Sequence, residues 1–364
     1  RNVDAFLVDD VQFIAGKENA FKKQSDYMIR RSLPKILNTN RIFINPASQN
    51  TPFWGGSDSL ISHFNSGLAI INFYGHGGGA VWSDRGLFTN DHLPMLDNSE
   101  KLPFISSMTC FTGDFANMNG LGENLLLIEN GGAIGLFGSS SVGWIKNDYL
   151  LSKDVFDYIF NPNLRVGDAI TLGKIRYMTS DNYFSYLKKS MVYSYNLLGD
   201  PTVKLPFTEE EVKLKIDKDD PAPGDEIQLS GTLPFNQGEG SIHLYNLDKY
   251  RIPVSPANYV IDDNQFQKKI NLPEDVETDR LYFNYYFRDS DNSQEVVGVT
   301  NLNIQSEDFY SFECLPENPK KEESIQFNIK IEHENLKDVF CLIDTIGVYK
   351  YIDENGIEHV NSFE

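Results

Sequence analysis

The sequence predicts two kinds of fold in one chain: an α/β domain with a mostly parallel sheet over residues 1–206, and β-sandwich material from 207 onward. Three observations carry this expectation. Near-continuous apolar runs alternate with helix-period segments through the first two hundred residues, as in a parallel sheet covered on both faces. Several of those runs end in an acid, a histidine, a cysteine or a group of serines. After "LLGDPTVKLPF" the helical period fades and turn signals multiply, in "DDPAPGD", "NQGEG", "DDNQ" and "RDSDNS".

The elements follow in order. "VDAFLVDD" reads as a strand ending in two acids, Asp9 and Asp10. Residues 18–33 carry a helical pattern with Phe21, Met28 and Ile29 on one side. "RIFINPA" is a short second strand. "SDSLISHFNSG" reads as a helix with Ser57 or Asp58 near its N-cap and Gly67 past its end. "LAIINFYG", "KLPFISSMTC" and "GGAIGLFG" supply the third, fourth and fifth strands. Helical stretches at 121–130, 150–160 and 167–190 separate or follow them. Beyond 207, "KLKI", "EIQLSGTL", "SIHLYNL", "RLYFNYYF" and "VVGVTNLNI" are the short alternating segments of a β-sandwich closing near residue 303. Residues 304–364 carry three or four more strand-like stretches and read as part of a second β-domain.

Composition narrows the function classes. Of 364 residues, 52 are acidic and 32 basic, for a net charge of −20, and no Lys/Arg cluster exceeds a pair. A nucleic-acid partner needs a basic face, so that class is excluded. The longest apolar runs, Leu68 to Ile71 and Leu125 to Ile128, fall far short of the roughly 20 residues of a membrane span. The acidity fits a secreted or surface protein, or a Ca²⁺ binder, without identifying either. Cysteines are three: Cys110, Cys314 and Cys341. The last two could bridge each other within the final segment, which would leave Cys110 unpaired.

In parallel sheets, ligands and chemistry gather at the carboxyl ends of the strands. Asp9 and Asp10, His76, Cys110 and the serines of "GSSSVGW" all fall there. His76 stands between Gly75 and Gly77, which let the backbone turn sharply and approach a substrate. Taken singly, His76 reads as a turn histidine and Cys110 as a buried thiol. Together they make a nucleophile and its base, because a thiol needs a base in reach to populate its thiolate. Their separation of 34 positions suffices for one strand–helix–strand unit, so their strands can be neighbours. The order, histidine before cysteine, excludes a papain-like layout. A carboxylate at Asp9 or Asp10 could fix the imidazole tautomer, or could simply be a solvated strand end.

Other constellations are weaker. "GSSSVGW" has Ser139 where a nucleophile elbow needs glycine, and no histidine follows it within the α/β domain. "HENLK" begins at His333 like a zinc-protease helix but has Lys337 where the second histidine belongs. His63 and His92 lie in helical or turn stretches and read as surface residues. No phosphate-binding glycine loop is present.

Residues 67–144 resemble the catalytic core of the gingipain-type cysteine peptidases, family C25, of the caspase-like clan. The resemblance rests on "GLAIINFYGHGGGAVW", "LPFISSMTCFTGDF" and "GGAIGLFGSSSVGW", with "LLGDPTVKL" resembling the family's domain terminus. It implies a caspase-like α/β/α sandwich followed by an immunoglobulin-like β-sandwich at 207–303. It also implies Cys110 as nucleophile, His76 as base and acid, and backbone N–H groups of Gly77 and Cys110 as an oxyanion hole. Asp10 becomes the better candidate for the orienting acid, with Asp9 in contention. Trp144, with Ser141, would bind substrate. The family's additional subdomain ahead of the catalytic one has no counterpart in the sequence, which begins at Arg1. The acid that sets Arg or Lys preference in the best-known members also has no counterpart after Asp10, so trypsin-like specificity is not implied.

The resulting expectation is a cysteine endopeptidase acting on a protein or peptide through a Cys110 thioester, secreted or at the cell surface. No cofactor is required; acid-rich loops and the resemblance allow a structural Ca²⁺. The alternatives are a non-catalytic adhesion or secretion scaffold that kept the fold, and a sortase-like transpeptidase.

Overall fold

The structure is a computed structural model. It describes residues 4–9, 20–34, 37–44, 53–99, 101–116, 118–180, 186–205, 207, 210–246, 251–276, 278, 280–291 and 293–305, then strand segments within 309–362. The chain divides into two units, Arg1–Ile304 and Gln305–Glu364.

The first part of the larger unit runs β1 (Asp4–Asp9), α1 (Ala20–Arg31), β2 (Asn38–Phe43), α2 (Ser57–Ser66) and β3 (Ile70–Tyr74). Three two-residue strands follow: β4 (Gly77–Gly78), β5 (Val81–Trp82) and β6 (Phe88–Thr89). Then come β7 (Phe104–Met108), α3 (Leu121–Leu127), β8 (Gly135–Ser139), α4 (Ile145–Ile159), α5 (Val166–Thr179), α6 (Tyr186–Ser194) and β9 (Tyr195–Gly199). The main sheet has the order β2-β1-β3-β7-β8-β9. Its first five strands are parallel and β9 is antiparallel to β8.

Both faces of this sheet are covered, which explains the near-continuous apolar runs. All five residues of β3, of β7 and of β8 are buried. Alternate side chains feed two separate cores. Ile70, Tyr74, Phe104 and Met108 pack with residues of α1, α4, α5 and α6. Ile71, Phe73 and Ile105 pack with residues of α2 and α3. The result is three layers, helices–sheet–helices. α1 shows the helical logic plainly: Phe21, Ser25, Met28 and Ile29 are its buried residues, at the i, i+4, i+7, i+8 spacing of one face. α2 ends where Gly67 takes φ 92, a left-handed value open to glycine, and its N–H caps the His63 and Phe64 carbonyls.

Two helical expectations change. The stretch expected as one helix over 167–190 is two, α5 ending at Thr179 and α6 starting at Tyr186. α4 begins at Ile145, five residues ahead of the expected start, because its first turn carries the polar Lys146, Asn147 and Asp148 and shows little apolar period.

The second part of the larger unit is all β: β10 (Lys215–Ile216), β11 (Glu226–Thr232), β12 (Gly238–Tyr245), β13 (Arg251–Ile252), β14 (Asn258–Ile261), β15 (Gln265–Asn271), β16 (Arg280–Asp289) and β17 (Glu295–Asn303). One antiparallel sheet is β10-β11-β15; the other is β13-β12-β16-β17, with β14 also on β12. Alternating residues of both sheets, among them Ile227, Leu229, Phe266, Ile242, Leu244, Phe283 and Phe287, form one core. The smaller unit contains the hairpin β18 (Phe309–Leu315) and β19 (Gln326–Glu332). It also holds the three-stranded β20 (Ile343–Thr345), β21 (Val348–Ile352) and β22 (Glu358–Ser362). Cys314 lies on β18; Cys341 and His333 fall outside the described residues.

Candidate active site

Strands β3 and β7 are parallel neighbours with Tyr74 opposite Met108. His76 and Cys110 each lie two residues beyond those partners, so the topology delivers both to one sheet edge. The glycines after His76 serve this approach. A Cβ on Gly77 would stand 2.6 Å from Thr109 Oγ1 and 2.9 Å from Thr109 Cγ2, so only glycine lets the histidine loop close on the cysteine loop. That loop is then pinned from below. Trp82 is fully buried, stacks on Phe73 at 5.0 Å between centroids, and donates its indole N–H to Ser107 Oγ at 2.9 Å. The Ser83 N–H donates to the His76 carbonyl at 2.7 Å. The His76 ring itself packs edge-on against Phe21 of α1, 5.5 Å between centroids.

The cysteine loop is held mainly by the segment after β8. Phe111, at φ 58, turns the chain sharply after Cys110. Its N–H donates to the Ser141 carbonyl at 2.9 Å, and the Gly113 N–H donates to the Ser139 carbonyl at 2.9 Å. A third tie reaches the reactive atom: the Gly143 N–H donates to Cys110 Sγ at 3.2 Å. Ser141 thus contributes its backbone carbonyl to this arrangement. Trp144 caps α4 with its indole 52% exposed beside the site.

Electrostatically the resting thiol is held neutral. Burial pushes the Cys110 thiol up, the Gly143 N–H pulls it back, and the charges of Asp148 and Asp84 add to the rise. No hydrogen bond joins the His76 ring to the Cys110 sulfur among the described residues. Of the two acids read at the first strand, Asp9 ends β1 in register with Tyr74. Asp10 lies outside the described residues.

The lesser candidates find ordinary roles. His92 Nδ1 accepts the Thr89 N–H at 3.0 Å, capping a 3-10 turn. His63 Nδ1 lies 2.7 Å from the Ser59 carbonyl within α2. No group of three His, Cys, Asp or Glu residues stands close enough to hold a metal ion among the described residues, and none of their helices is long and apolar enough to cross a membrane. Sequence reading missed Thr109, Gly143, Asp148 and Tyr195. Gly143 had a signal, standing 33 residues past Cys110 in a serine–glycine loop. Asp148 had none, since an acid in a first helical turn is ordinarily a solvated partner of the helix dipole.

The model of peptidase family C25 matches residues 4–206, more than half of the chain and the whole of the β1–β9 domain. The chain belongs to peptidase family C25. Gingipain R2 of Porphyromonas gingivalis (strain ATCC 33277) is 39% identical to this C25 chain over 57 residues, 16% of this chain and 8% of that protein. Gingipain R1 of the same species is 39% identical over 57 residues, 6% of its length. The C25 chain therefore matches less than a tenth of either curated relative. The crystal structure of the Arg-specific cysteine proteinase gingipain R aligns with 83% of this chain and 67% of its own, at 16% identity and a TM-score of 0.49.

Proposed function

We propose that this C25 chain is a cysteine endopeptidase whose nucleophile is Cys110. The observation that carries the reading is the paired delivery of His76 and Cys110 from register-matched ends of adjacent parallel strands, inside a family of peptidases. His76 would take the thiol proton. The thiolate would add to the scissile carbonyl, and His76⁺ would protonate the leaving amine as the thioester forms. Water, deprotonated by His76, would then release the acid product. Backbone N–H groups of Gly77 and Cys110 would hold the oxyanion, donors worth about 3–4 kcal/mol each in acyl transfer. Asp10 would orient the imidazole. Trp144 and Ser141 would line the substrate cleft, Trp144 by its exposed indole. Residues 207–303 would be an immunoglobulin-like domain, and the protein secreted or surface-held, with any bound Ca²⁺ structural.

One observation favours the non-catalytic reading: the resting thiol is pushed up and no hydrogen bond reaches it from His76. An enzyme must then ionise Cys110 as substrate enters, whereas a scaffold need not. Hydrolysis of a mixed peptide library by the full chain and by Cys110→Ala decides between them. Cleavage by the wild type alone supports the peptidase. Cleavage by neither supports the scaffold, and amide exchange without net hydrolysis supports a transpeptidase.

A further inference from the structure

Asp148 is an acid the proposed mechanism does not use, yet it is only 4% exposed. Its surroundings are specific. Tyr195 on β9, itself fully buried, donates its hydroxyl to Asp148 Oδ1 at 2.7 Å. The Trp144 N–H also favours the charged form of the carboxylate. On the other side the carboxylate lies flush against the backbone: a Cβ on Gly143 would stand 2.6 Å from Asp148 Oδ2. The same Gly143 sends its N–H to Cys110 Sγ at 3.2 Å. A chain of direct contacts therefore runs from Tyr195 through Asp148 and the 143–144 turn to the sulfur.

We propose that Asp148 is a positioning residue for Cys110, a buried clamp that fixes the 143–144 turn so that the Gly143 N–H is aimed at the sulfur. The inference rests on the reading of Cys110 as nucleophile. It gives the carboxylate two opposed effects on the thiol. The clamp supplies a hydrogen-bond donor that favours the thiolate, while the negative charge disfavours it. Burial pushes Asp148 up to about 6, against the pull of the Tyr195 and Trp144 donors, so the charge is present at neutral pH and fades in mild acid. Among the described residues, Asp148 acts electrostatically on Tyr195 of β9, Tyr74 of β3 and Cys110 after β7, and the Lys174 ammonium of α5 donates to the Tyr195 carbonyl. Asp84, in the turn after β5, acts on the thiol as well.

The two effects separate by substitution. Asp148→Asn removes the charge and keeps the clamp, its Oδ1 accepting from Trp144 and its Nδ2 donating to Tyr195. Asp148→Ala removes both. The experiment is the pH dependence of Cys110 alkylation by iodoacetamide in the full chain, read peptide by peptide so that Cys314 and Cys341 are kept apart. The Asn variant should titrate about half a unit or more below wild type, and the Ala variant about one unit above the Asn variant. Gly143→Ala keeps the carboxylate but places a methyl against it, so the turn must shift. Its midpoint should rise above wild type, and it decides the matter if Asp148→Ala fails to fold. Coincident Asn and Ala midpoints, or an unchanged Gly143→Ala midpoint, overturn the clamp. Because alkylation needs no substrate, these results stand apart from whether the wild type cleaves peptides.

Discussion

His76 and Cys110 extend two register-paired residues, Tyr74 and Met108, by the same two positions beyond adjacent parallel strands. Their neighbours Gly77 and Thr109 touch so closely that no side chain fits between the loops. A site built this way depends on the contact between Gly77 and Thr109 as much as on the two reactive groups.

That contact is testable. Gly77→Ala should destabilise the protein by about 1–3 kcal/mol through overpacking against Thr109, and lower kcat/KM as the loops part. Adding Thr109→Ala should restore part of both losses, a non-additivity read by urea unfolding and peptide hydrolysis. Simple addition of the two costs would mean the loops do not press on each other.

Asp10→Asn should lower kcat by about two to four orders of magnitude if this acid orients His76, because the amide can favour the wrong tautomer. Asp9→Asn, one residue back, should change little. Equal losses would indicate a general charge effect, and a loss confined to Asp9 would exchange the roles.

A pH prediction concerns the β part of the larger unit. His243 is 7% exposed and accepts a hydrogen bond at Nδ1 from Arg251 Nη2 at 2.7 Å. Burial, then the Arg251 charge, pushes its imidazole down to about 4 from 6.5. The folded state thus keeps a neutral ring where the unfolded chain binds a proton. The stability this confers is present in full above about 6.5 and is lost as pH falls towards 4, roughly 3 kcal/mol across that window. Urea unfolding of wild type and His243→Gln should show the difference between them narrowing over that range; parallel pH profiles would contradict it.

The legible parts of this fold were those whose residues are buried on both faces. β3, β7 and β8 announce themselves because every residue in them is buried and all but Asn72 are apolar, aromatic or small. β9 did not, since after the buried Tyr195 its residues are only half-buried or exposed. The strands β4 to β6 are two residues each, too short for any alternation to register. In the site, His76 and Cys110 stood out because their chemistry is rare and their strands end abruptly. Asp148 was silent for a physical reason: its role comes from Tyr195, 47 residues on, and from a glycine with no side chain.

Cys110→Ala should leave the melting temperature within a few degrees, because the side chain is partly exposed and its sulfur takes a single backbone N–H from Gly143. Peptide hydrolysis by this variant should fall below about a thousandth of wild type.

The most direct test of Cys110 as a nucleophile activated by His76 is labelling with a peptidyl acyloxymethyl ketone, followed by intact-mass and peptide mapping. A single adduct should form on Cys110 in the wild type, and its rate should fall at least about a hundredfold in His76→Ala, as expected when a general base is lost. An unlabelled Cys110, or a His76→Ala variant labelled as fast as wild type, would contradict it.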